Sequence, residues 1–396
     1  MLSCSDNWKK LLKMIYLSKV KFLRGGVLIM GADQIQAPFR ADHVGSLLRP
    51  KRLLKAKSNF KQGKIGAAEL HQIEREEVEK AVNKQLEAGL KLVTDGEFRR
   101  DWWHLDFLEE LNGFEGYVPE KGYQFADLET EAYDVRNTGK ISFNSDHSFL
   151  KYFKEFNKIV DGRAAAKQTI PSPNQLFHFG IRNSEIYPDI KDYAQDIIET
   201  YQDALKAFYE AGVRYLQFDD VYIASLSSPD ISYQDAPFSR EYLIELALEV
   251  VNGVLEVKPP DLSLTTHLCR GNYKSSWAFS GSYDLIAPTL FAREKVDGFF
   301  LEYDDQRSGG FEPLKYIPEG KTKVVLGLIT SKDGQLEDKE KVKARIRQAA
   351  EYIPLSQLCL SPQCGFASTH HGNQLSQEDQ WQKLKLIVEI AEEIWG

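Results

Sequence analysis

Cysteine is scarce: Cys4, Cys269, Cys359 and Cys364 are the only four in 396 residues. So few exclude the disulfide framework of a secreted scaffold and point to a reducing, cytoplasmic compartment. No run of eighteen or more uncharged apolar residues occurs, so no membrane span is implied. Basic residues form no long cluster beyond the first thirty positions, and the net charge is −8. That balance disfavours nucleic acid as a partner. No glycine-rich turn follows the first expected strand, which argues against an open dinucleotide-binding sheet.

Residues 1–29 stand apart in composition. Lys9, Lys10, Lys13, Lys19, Lys21 and Arg24 face a single acid, Asp6. Lys13, Lys19 and Lys21 interrupt the apolar core that a signal peptide needs. A basic amphipathic anchor is one alternative. The preferred expectation is a misplaced start, with translation beginning at Met30 and Arg24-Gly25-Gly26 encoded by a ribosome-binding site. A single domain is then expected over residues 30–396.

Along that domain, short apolar runs ending in polar residues alternate with helical patterns. Strands are expected at 39–48, 90–97, 165–173, 213–220, 263–271, 298–305, 323–331 and 358–365. Helices are expected at 67–88, about 190–210, 238–257, 283–294, 336–353 and 377–394. Eight strands alternating with helices predict a (β/α)8 TIM barrel, a fold of about 250 to more than 400 residues. Residues 98–164 are too long for an ordinary connection. Their aromatics, among them Trp102, Trp103, Tyr123 and Phe125, predict a structured insertion after the second strand, over the barrel mouth.

Active sites of such barrels lie at the C-terminal ends of the strands. There the chain places His43, Ser46, Glu97, Asp219, Asp220, His267, Cys269, Glu302, Thr330 and Cys364. His267 and Cys269 are two apart, so on a strand they share a face. Alone, that pair reads equally as a buried cysteine beside a core histidine. With Glu302 and Cys364 it makes two thiolates, an imidazole and a carboxylate, a donor set that suits tetrahedral zinc.

At these residues the chain resembles the catalytic C-terminal half of cobalamin-independent methionine synthase, closest to its short stand-alone members. The resemblance runs from about residue 37 to the end. It rests on DHVGS, the GE of TDGEFRR, QFDD, H-L-C, the Glu of LEYDD and the P-x-C-G of SPQCGF, in that order. It implies a Zn2+ ion on His267, Cys269, Glu302 and Cys364. It also implies homocysteine held by Val44, Gly45 and Ser46 with Glu97 and Asp219. Glu302, as the ligand to be displaced, and Asp219 are the implied catalytic residues. The implied activity is methyl transfer to the homocysteine thiol to form methionine.

Two departures from the family pattern concern the methyl donor. The family's proton-donating His after the seventh strand corresponds here to Thr330. Its tryptophan-bearing wall after the third strand is replaced by TIPSPNQLFH. His178, His370 and His371 are candidate substitutes for the missing acid. The donor is therefore left open among folate, a methyl-corrinoid and a sulfonium. The competing reading keeps zinc-dependent alkyl transfer but changes the thiol or the donor, as in epoxide:thiol transfer. Zinc hydrolases favour His and carboxylate ligands rather than two Cys. A purely structural zinc is disfavoured because these ligands are scattered over nearly a hundred residues.

Overall fold

The computed structural model describes residues 37–178, 181–234 and 236–396. The expectation for residues 1–29 lies outside them. Seven strands form one parallel, curled sheet in the order β1-β4-β5-β6-β7-β8-β9. They are β1 (Leu92–Val93), β4 (Ala165–Pro171), β5 (Tyr215–Asp220), β6 (Ser263–Leu268), β7 (Gly298–Glu302), β8 (Lys323–Ile329) and β9 (Leu358–Pro362). Burial is unbroken along β4, β5 and β7, the pattern of parallel strands covered on both faces.

The covering helices follow from spacing and caps. Ile190–Glu210 buries Tyr193, Ala194, Ile197, Tyr201, Ala204, Leu205 and Phe208, a stripe repeating every three or four residues. Asp189 caps its first turn by accepting from the Lys191 amide. Gln377–Trp395 begins with a reciprocal Ser376–Asp379 capping box. Among the described residues no helix is long and apolar enough to cross a membrane.

Two expectations require correction. The segment expected as a strand at 39–48 forms only a parallel bridge, Ala41 to Leu360. The reason is local: the Asp42 carboxylate accepts from the amides of Phe39 (3.0 Å) and His43 (2.8 Å). A side chain that captures nearby amides competes with a strand ladder. The segment nevertheless touches both sheet edges. The Asp42 amide donates to the Leu360 carbonyl, and the Leu47 amide to that of Gly96 (both 3.0 Å). The helix expected over 283–294 is also reduced, to the single turn Leu290–Arg293.

Residues 98–164 hold a short helix, Leu105–Leu108, and an antiparallel pair, β2 (Asn112–Tyr117) and β3 (Asp134–Ser142). They end in the helix Ser148–Val160, which leads into β4. His147 caps that helix by accepting from the Phe149 amide.

Candidate metal and thiol site

β5 and β6 pair in a register that sets Asp219 opposite His267. Cys269 follows one residue past β6, where its amide donates to the Asp220 carbonyl (2.9 Å). Glu302 ends β7, and Cys364 lies two residues beyond β9. The four side chains are buried, and their ligand atoms lie within 4.8 Å of one another. The two sulfurs are 3.5 Å apart. Tetrahedral zinc with Zn–S bonds of about 2.3 Å sets its sulfurs about 3.8 Å apart. Both His267 ring nitrogens are buried without a nitrogen or oxygen partner. A buried imidazole left so is costly unless a metal satisfies it. The residues present therefore fit zinc.

Without a metal, the four crowded groups shift one another's protonation. The hydrogen bond between the thiols pushes Cys269 up and Cys364 well below the usual thiol range. Burial alone would push His267 down, but Cys364, Asp219 and Glu302 outweigh it and hold it above its ordinary value. Burial raises Glu302. Its Oε1 accepts from the Arg270 amide at 2.8 Å, which fixes the carboxylate's orientation.

A second group of residues faces the same cavity. Glu97, at φ 59°, accepts from Thr169 Oγ1 (2.8 Å), and Arg100 Nη1 lies 3.5 Å from the same Oε1. Its Oε2 is buried without a partner. Asp219 accepts from Gln217 Nε2 at 2.6 Å. Burial raises Glu97. Burial also lifts Asp219 to about 7, with Glu97 adding to the shift and His267 opposing it.

The V-G-S turn is built around these groups. At Gly45 (φ 155°) a Cβ would lie 2.7 Å from Thr169 Cγ2 and 3.1 Å from Glu97 Oε1. At Gly365 a Cβ would lie 2.0 Å from Ser46 Oγ, which accepts from the Ala367 amide at 3.2 Å. Glycine at both positions lets three distant segments pack together.

The cavity measures about 210 Å³ and is lined by Val44, Ser46, Glu97, Asp219, His267, Cys269 and Cys364. Gly45 and Glu302 are not in its lining; they adjoin it through Glu97 and the ligand cluster. Asp220 is turned to structure, accepting from Asn174 Nδ2 (3.0 Å) and the Ile223 amide (2.9 Å). His43 pairs with Gln85 (3.0 Å). Of the candidate acids, His178 lines the cavity, whereas His370 and His371 do not; Thr330, which replaces the family's acid, is outside it too. The sequence reading assigned no site role to the aromatic part of the lining. Trp102, Trp103, His104, Tyr123 and Phe125 come from the segment after β1, and Tyr273 from the turn after β6. The density of rings over 102–125 was the available signal.

A curled parallel sheet carrying a His-Cys-Glu-Cys cluster and cavity-facing carboxylates at its strand ends defines an α/β protein with a candidate metal-and-thiol centre. The family described as cobalamin-independent synthase, catalytic domain, matches residues 181–393. YxjH of Bacillus subtilis, an uncharacterized protein, is 45% identical over 370 residues, covering 91% of this chain and 96% of its own length. Methionine synthase of Sulfolobus acidocaldarius is 25% identical over 324 residues, covering 81% of this chain and 84% of its own. A solved structure from Listeria monocytogenes, a candidate vitamin-B12-independent methionine synthase, superposes with a TM-score of 0.75 at 43% identity. That match covers 91% of this chain and 99% of that one. The chain belongs to the cobalamin-independent methionine synthase catalytic-domain family. Membership supports a methyltransferase activity.

Proposed function

We propose that the protein is a zinc-dependent methyltransferase that moves a methyl group to the thiol of homocysteine, forming methionine. The observation that carries this reading is one cavity joining the two cysteines of the His-Cys-Glu-Cys cluster to Glu97, Asp219 and Ser46. A substrate with a thiol at one end and an α-amino acid group at the other matches that layout. His267, Cys269, Glu302 and Cys364 would hold the zinc ion. Bound there, zinc supplies the means to deprotonate a substrate thiol at neutral pH.

The chain's own residues do the rest. Glu97, through its unpartnered Oε2, and Asp219 accept the ammonium group in charge-assisted hydrogen bonds. Ser46 Oγ and the amides beside Val44 and Gly45 receive the carboxylate. Asp219, with a pKa lifted to about 7, can also take a proton near neutral pH. Glu302 is the hardest donor of its set and would hold a bound zinc ion least firmly. We also read segment 39–48 as the eighth stave of a TIM barrel and residues 98–164 as an insertion over its mouth. The segment's bonds to both sheet edges and the cavity-lining rings from 102–125 support this. The reading places the enzyme in the cytoplasm.

The test is metal content with homocysteine binding. About one zinc per chain is expected, and Cys269→Ser or Cys364→Ser should release most of it. Homocysteine binding to the zinc protein should release a proton, seen by titration calorimetry in buffers of different ionisation enthalpy. Full zinc retention in the double Cys variant would overturn the ligand assignment.

A further inference from the structure

Among the described residues, the cavity is lined by two carboxylates, Glu97 and Asp219, and by no lysine or arginine. Of the cations outside the lining, Lys274 Nζ lies 5.1 Å from the Tyr273 ring centroid, and Arg100 pairs with Glu97 at 3.5 Å. Arg49 donates to the carbonyls of Glu97, Arg100, Ala367 and Thr369. Arg100 donates to the Thr169 carbonyl (2.6 Å) and lies over the Phe149 ring. The rest of the lining is rich in rings. Trp102 and Tyr273 lie parallel, 2° apart in plane with centroids at 6.5 Å. Phe125 tilts onto Tyr273 at 5.4 Å. Trp103, His104 and Tyr123 form a run with centroids 4.4 and 5.8 Å apart.

We propose that this aromatic part of the cavity, with no lysine or arginine in its lining, is the methyl-donor subsite and that it takes a small sulfonium. The inference rests on the homocysteine reading above and names the donor that reading leaves open. Rings attract an alkylated cation, and more strongly once water is excluded. Within the lining, the glutamate carboxylates of a folate would meet two carboxylates and no lysine or arginine.

The chemistry of departure agrees. Folate nitrogen must be protonated as it leaves, and general acids are typically worth 10²–10⁴-fold. Of the candidate acids only His178 lines the cavity; Thr330 is outside the lining, and its amide is tied to Glu337 at 2.8 Å. A sulfonium needs no acid. Its methyl–sulfur bond breaks, the electron pair returns to that sulfur, and a neutral thioether leaves. The substrate sulfur forms the new bond to the methyl carbon, and the thiol proton goes to solvent. No oxidant or reductant takes part.

The test uses the full-length zinc-loaded protein with homocysteine and deuteromethyl-labelled donors, reading labelled methionine by mass spectrometry. The donors are S-methylmethionine, S-adenosylmethionine, methylcobalamin, and methyl-tetrahydrofolate with one and three glutamates. A sulfonium is expected to exceed both folates and the corrinoid at least tenfold in kcat/KM. Gln124→Lys places a cation at an exposed position of the lining; it should raise the sulfonium KM severalfold and leave homocysteine binding as it is. Trp103→Leu should raise the sulfonium KM about tenfold. A folate or methylcobalamin rate at or above the sulfonium rate, or a sulfonium KM indifferent to Gln124→Lys, overturns the donor assignment. If proton release on homocysteine binding persists in that case, the homocysteine reading stands. If that release is absent from the zinc protein, the homocysteine reading falls and the donor assignment with it.

Discussion

At Glu97 and Asp219 two acids have been moved from water into a closed site, and each is left with capacity for a cation. Glu97→Gln and Asp219→Asn should each weaken homocysteine binding by about 1.5–3 kcal/mol, the worth of a charge-assisted bond. Zinc content should stay unchanged; wild-type affinity in calorimetry would remove that residue from the proposed role. Gly365 offers a sharper steric test. Its missing Cβ leaves room for Ser46 Oγ, which would otherwise be met at 2.0 Å. Gly365→Ala should raise the homocysteine KM, and Ser46→Ala in the same chain should not raise it further, because the two act on one contact. Additive losses would show that the glycine acts elsewhere.

The elements are tied to one another by a few buried polar links. Lys167 of β4 donates to Asp42 Oδ1 (3.0 Å) and to the His43 carbonyl (2.6 Å), while Tyr215 of β5 donates to Asp42 Oδ2 (2.9 Å). These bonds hold segment 39–48 against the sheet and so place the V-G-S turn. Removing one partner of a buried pair typically costs about 3–5 kcal/mol. Lys167→Met should lose that much in urea unfolding, and adding Asp42→Asn should restore part of it. An unchanged midpoint would mean that the segment is held by its backbone bonds alone. The strand periods and helix stripes were legible in the sequence because burial on both faces imposes them. The failure at 39–48 was not, since an alternating run does not disclose that Asp42 will capture two amides.

For the molecule as a whole, an acid outside the ligand cluster gives a readable pH signature. Glu294 is buried, accepts from Thr266 Oγ1 at 2.9 Å, and is pushed up to about 8 by burial, with Asp220 adding to the shift. Between its unfolded value of 4.5 and about 8, the folded chain keeps a proton that the unfolded chain has lost. Stability from this group is therefore complete below about pH 4.5 and falls as pH rises, by roughly 1.4 kcal/mol per unit across that window. Glu294→Gln should flatten this part of the stability–pH curve in denaturant titrations. The same slope in wild type and variant would show that the group titrates normally in the fold.

By itself the sequence determined the class of architecture, the chemistry of the ligand set and the order of its motifs. These depend on residue type and on local period, which a linear chain displays. His267, Cys269, Glu302 and Cys364 were nameable because soft and hard donors at strand ends are chemically distinctive. Only the tertiary structure decided which neighbours those residues have. It turned His43 and Asp220 to structural bonds, left Glu97 Oε2 without a partner, and tied Arg49 and Arg100 to carbonyls. It also brought Trp102 and Trp103 to the cavity that holds His267 and Cys364, across more than a hundred residues of chain. Such proximities arise from the closing of the sheet and its loops, and distance along a sequence carries no record of distance across a fold.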